Sequence, residues 1–113
     1  VTACIKARNL PNDCDELMTL REYRDTYVLK LPNGEKEVKI YYKIAPYVVK
    51  AINNLAHSKD IYEKIYTSLV VACTEMVHEE RYEEAYILYK QTALGLGEKY
   101  LGKSKLENLI NQV

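Results

Sequence analysis

Ile61, Ile65, Leu69, Cys73 and Met76 recur at intervals of four and three. That spacing gathers side chains on one face of a 3.6-residue helix, and a strand, with its period of two, cannot use it. Asp60 stands three residues before Glu63, a capping-box pair that predicts the start of this helix. After a break near Glu80, a second stripe of Tyr82, Ala85, Tyr86, Tyr89, Ala93 and Leu96 predicts another helix, weakening at Gly95 and Gly97. Gly102 is expected to stop it. Ser104 with Glu107 then caps a short last helix bearing Leu106, Leu109, Ile110 and Val113.

The first half reads the same way with one ambiguity. After an irregular or short helical lead-in over 1–12, Asp13 and Glu16 form another capping-box pair. Leu17, Leu20, Arg24, Tyr27 and Leu31 then share a helical face as far as Pro32. Pro32-Asn33-Gly34 marks a turn, and residues 35–44 fit two forms. Val38, Ile40 and Tyr42 alternate with polar positions, which would allow a β-hairpin around Asn33-Gly34. The same residues make a helix with Val38, Tyr41, Tyr42 and Ala45 on one side and Lys36, Lys39 and Lys43 on another. An isolated two-stranded ribbon is only marginally stable and no third strand is on offer, so the helix is expected. Pro46 should kink it or begin the next one, which carries Val49, Ile52, Leu55 and Ala56 inward and ends at His57 and Ser58. The expected fold is all-α, one bundle of about five helices, with residues 57–113 added as a helical hairpin and a short C-terminal helix.

Val1-Thr2-Ala3, Leu20-Arg21-Glu22-Tyr23-Arg24-Asp25, Tyr27 to Leu29, Pro32-Asn33-Gly34, Tyr41-Tyr42 and Pro46 together resemble the bacterial CFI-box C-terminal domain. That family is named for a Cys-Phe-Ile box leading into a run of small residues and threonine, followed by an Arg-x-Phe-Arg-Asp helix, a turn, and a Tyr-Tyr pair shortly before proline. The resemblance covers residues 1 to about 56, with Tyr23 where the family tends to have phenylalanine and the box cysteine falling before Val1. It implies helix over 35–44 and brings no activity with it.

With 113 residues, 48% of them hydrophobic, the chain can build one core and no second domain is expected. Its 16 basic and 16 acidic side chains cancel, so no overall field gathers nucleic acid or anionic lipid. The longest uncharged stretch, Ile65 to Thr74, is about half of what a membrane-spanning helix needs. No leader follows Val1, and a signal preceding it is left open. Cys4, Cys14 and Cys73 are too few for a disulfide framework, which points to a reducing, cytoplasmic setting; a Cys4–Cys14 bridge is the one pairing considered.

Arg24 is the most informative single residue, because a charge inside an apolar stripe requires a partner or a path to water. Either Asp25 or another carboxylate pins it, or Arg21 and Arg24, three apart on one helix, form an anion site. Cys4 and Cys14 are candidates for a thiol site with the upstream box cysteine, and Cys73 reads as a small core residue. No ligand set for a metal is present, no cofactor is expected, and no catalytic motif is found. Lys36, Lys39, Lys43 and Lys50 form a basic stripe that suits solvent better than nucleic acid, given Glu35 and Glu37 alongside.

Eleven tyrosines with no phenylalanine and no tryptophan are the oddest compositional fact. A buried tyrosine ring needs its hydroxyl paired or wet, so the core should be laced with hydrogen bonds or open to a groove. Tyr41, Tyr42, Tyr82, Tyr86 and Tyr89 are candidates for an aromatic contact surface. The leading functional expectation is a non-enzymatic module that meets a protein partner or a second copy of itself. A thiol-based function and nucleic-acid binding follow in that order.

Overall fold

Helical periodicity is realised along the whole chain. The computed structural model describes residues 1–113. Its α-helices are α1 (Thr2–Ala7), α2 (Asp15–Thr26), α3 (Gly34–Asn53), α4 (Ser58–Ile65), α5 (Ala72–His78), α6 (Tyr82–Leu101) and α7 (Lys103–Asn111). A 3-10 turn (Val28–Lys30) follows α2, and a π-helical segment (Tyr66–Val71) joins α4 to α5 in one continuous run. There is no strand, so the hairpin alternative around Asn33-Gly34 is not formed. The chain turns there straight into α3, whose first residue lies so close to the 3-10 turn that a Cβ on Gly34 would sit 1.7 Å from the Val28 carbonyl oxygen.

All three expected capping boxes are corrected. Cys14, His57 and Gly102 occupy the N-cap positions of α2, α4 and α7, and none of the helices has a side-chain cap hydrogen bond. Asp13 therefore lies before α2, while Asp60 and Ser104 lie inside the first turns of α4 and α7. Helix stops are instead written in backbone geometry. Asn9 (φ 57) and Glu80 (φ 60) take the left-handed conformation. Beyond them Leu10 N–H donates to the Ile5 carbonyl (3.0 Å) and Arg81 N–H to that of Met76 (2.8 Å). Both are Schellman closures. Two further expectations shift. Pro46 lies within α3, which runs unbroken to Asn53, so Leu55, Ala56 and His57 fall after the helix and are exposed. α6 likewise passes through Gly95 and Gly97 without interruption.

The π segment buries Tyr66, Leu69 and Val70 on the core side of the long run. Hydroxyls of Thr67 and Ser68 donate to the Glu63 and Lys64 carbonyls at 3.1 and 2.8 Å, serving oxygens that a π register leaves poorly served.

The main core joins both halves of the sequence: Cys4, Ile5 and Leu17 meet Ile44, Val48 and Ile52, the apolar face of 62–73, and Leu106. A smaller cluster of Tyr23, Val28, Val38 and Ala85 lies beside it. The radius of gyration, 13.8 Å, is that of one domain of this length. α1 packs on α4, α2 on α5, and α3 on α6 and α7. α1 and α2 thus rest on the one run from α4 to α5, while α3 chiefly engages α6 and α7. No helix is long and apolar enough to cross a membrane.

Candidate functional site: a tyrosine-walled cleft

Between α1, α2 and α3 the packing leaves a cleft of about 490 Å3. It falls within the roughly 300–1,000 Å3 of small-molecule sites. Its walls are the apolar faces read from the sequence. Leu17, Leu20 and Arg24 of the expected α2 stripe line it, and so do all four residues expected on one side of α3, Val38, Tyr41, Tyr42 and Ala45. The most buried face of α3 (Ile44, Val48, Ile52) lies about 70° further round the helix, at roughly 100° per residue. Cys73, Tyr86 and Tyr89 reach the cleft from α5 and α6, and Val1, Thr2, Ala3 and Lys6 from the N-terminal end.

Two tyrosine hydroxyls in this wall are unsatisfied. Tyr41 is 7% exposed, and neither its Oη nor that of Tyr86 has a hydrogen-bond partner although both are buried. A buried hydroxyl left unpaired costs about 1–3 kcal/mol, so both lower the stability of this wall. Burial holds Tyr41 well above the ordinary phenol range and pushes Tyr89 up to about 12, keeping both rings neutral. The two rings meet edge to face at 5.4 Å. By contrast the Tyr23 hydroxyl donates to the Tyr82 carbonyl at 2.6 Å, and that of Tyr62 to Asn53 Oδ1 at 2.7 Å.

Charge in the cleft has one sign. Lys6, Arg21 and Arg24 line it and no carboxylate does, in a chain whose charges otherwise balance. Arg24 Nε donates to Asp25 Oδ1 at 2.9 Å, and its Nη1 to the Tyr42 hydroxyl, so this guanidinium is held in place. Arg21 makes one hydrogen bond, from Nη1 to the Asn12 carbonyl at 3.0 Å, and neither it nor Lys6 is in an ion pair.

The other candidates are dispersed. Cys4, Cys14 and Cys73 are all free, with Cys4 and Cys73 buried and Cys14 half-buried. Burial raises the Cys4 thiol and pushes Cys73 up to about 11, the reverse of what a reactive thiolate needs. No three His, Cys, Asp or Glu side chains cluster as a metal set would. Lys36, Lys39, Lys43 and Lys50 share the side of α3 opposite its buried face; Lys39 pairs with Glu35 at 3.4 Å. Of the five candidate tyrosines only Tyr42, at 54%, is exposed. Tyr41, Tyr86 and Tyr89 belong to the cleft wall, while Tyr82 stacks on Tyr23 at 5.9 Å.

Nothing in the sequence put the cleft itself on view, although two signals for it were there: an arginine in an apolar stripe and an excess of tyrosine. No family model matches the chain, and no curated protein or solved structure matches it either.

Proposed function

We propose that this chain is a non-enzymatic helical module that holds a small, mainly apolar molecule in the cleft between α1, α2 and α3. The observation that carries this is the cleft itself, a mainly apolar space of about 490 Å3 whose charged lining residues are Lys6, Arg21 and Arg24. An apolar pocket with few convergent polar groups is the usual form of a small-molecule site. Calorimetric titration with 1-decanol tests it. Saturable one-to-one binding with a negative heat-capacity change is expected. Ala45→Trp, which adds an indole at the exposed rim, should abolish the binding with the helical signal unchanged. Absence of saturable binding in the unsubstituted chain contradicts the proposal.

A second reading, a module that meets a protein partner or its own copy, is favoured by Tyr42 and Tyr47, which stand 54% and 40% exposed on α3. A mass that rises with concentration in light scattering would support it. Three unbridged cysteines suit a reducing, cytoplasmic setting for either reading. A kinship with CFI-box domains is likewise a proposal. It rests on motif order within residues 1–56, which supply all of the cleft wall except Cys73, Tyr86 and Tyr89.

A further inference from the structure

We infer that the ligand of this cleft is a single-chain carboxylate, a fatty-acid-like anion whose aliphatic tail lies against the tyrosine wall and whose headgroup is bound at the rim by Arg21 with Lys6. This deepens the small-molecule reading above and rests on it.

Three independent observations converge. The lining is apolar apart from the rim, so most of the occupant must be hydrocarbon. Its charged residues are Lys6, Arg21 and Arg24 with no acid among them, an arrangement that repels cations and leaves a neutral ligand without a counterpart for the charge. Of these, Arg24 is already committed to Asp25 and Tyr42, whereas Arg21 keeps Nε and Nη2 unengaged beside its single bond to the Asn12 carbonyl. A guanidinium edge with two free donors matches one carboxylate in the bidentate geometry that gives both strength and orientation. Lys6, exposed and unpaired, adds a second positive charge at the same mouth.

Paired titrations of the 113-residue chain with sodium decanoate and 1-decanol at neutral pH separate this inference from the one beneath it. Decanoate is expected to bind at least about tenfold more tightly than the alcohol, the size of a charge-assisted hydrogen bond. Arg21→Gln should erase that advantage and leave decanol affinity unchanged; Arg21→Lys, which keeps the charge and loses the fork, should retain part of it. Across octanoate, decanoate and dodecanoate the affinity should rise about fourfold per methylene until the cleft is full. Equal affinity for acid and alcohol overturns the carboxylate assignment while the apolar cleft stands. A decanoate preference that survives in the Lys6→Gln, Arg21→Gln double variant overturns the placement of the headgroup. Failure of both ligands to bind removes the cleft reading and this inference together.

Discussion

Helix α3 belongs to two different environments, and the contrast between them explains the molecule. On one face Ile44, Val48 and Ile52 (3%, 7% and 1% exposed) are buried with Ile5, Ile65, Leu69 and Leu106, leaving a void of only about 90 Å3. On the adjoining face Val38, Tyr41, Tyr42, Ala45 and Val49 look across an open space toward α2. Aliphatic side chains interdigitate to crystal-like density. Tyrosines bring a rigid ring and a hydroxyl that resists being sealed without a partner, and arginines bring charge that must keep a path to water. The same helix therefore borders a void of about 90 Å3 on one side and a cleft of about 490 Å3 on the other.

Truncation on the two faces should break this symmetry most clearly. Ile52→Ala, in the closed face, is expected to cost about 2–5 kcal/mol in denaturant unfolding, because it leaves a cavity the surroundings cannot fill. Val49→Ala, on the cleft wall, should cost less than about 1 kcal/mol, since the space beside it is already open. Comparable losses at both positions would mean that the cleft is packed in solution.

Hydroxyl removal sharpens the contrast at a smaller scale. Tyr23→Phe forfeits the 2.6 Å bond to the Tyr82 carbonyl and should lower stability by about 1 kcal/mol. Tyr41→Phe removes a hydroxyl that has no partner and should be neutral or stabilising by up to about 1 kcal/mol. Thermal melts of the two variants, measured side by side, are expected to move in opposite directions.

Alkaline pH gives a further separation. The thiol of Cys73, at the floor of the cleft, is pushed up to about 11 by burial and is neutral when protonated. The unfolded chain releases that proton from about pH 8.5 upward and the folded chain does not. Stability therefore falls as pH rises through this interval and stops falling from this cause above about 11. Cys73→Ala should flatten the slope of stability against pH between 9 and 11; an unchanged slope would show that Cys73 does not contribute to it.

Much of the fold was legible because helical periodicity survives in every long segment, and the stripes at 61–76 and 82–96 fall within helices. What failed has local causes. Capping boxes at Asp13, Asp60 and Ser104 are sequence patterns that tertiary packing overrode by one to three residues. The break near Glu80 was expected from the sequence, but its left-handed closure, like that at Asn9, carries no glycine to mark the residue. Pro46 sits on the exposed side of α3 and does not end it. The π register of 66–71 has no simple sequence signature.

The candidate site was half visible. Arg24 in an apolar stripe was a contradiction on the assumption that the stripe faced a solid core, and the stripe faces a cleft instead. Tyr42, placed with Val38 and Tyr41, is likewise a wall residue. Arg21 was singled out with Arg24 as an anion site, but Lys6 was not, because nothing in the sequence brings the last turn of α1 to the cleft that α2 and α3 line. That juxtaposition follows from the packing of α1 on α4 and of α2 on α5, helices joined in one run.

Amide chemical-shift mapping with decanoate tests the central claim most directly. Saturating shifts are predicted along the cleft, at Thr2, Lys6, Arg21, Tyr41, Tyr42 and Val49, while Ile52, Leu106 and Leu109 in the closed core stay still. Shifts that spread evenly over both faces of α3, or that never saturate, would contradict it.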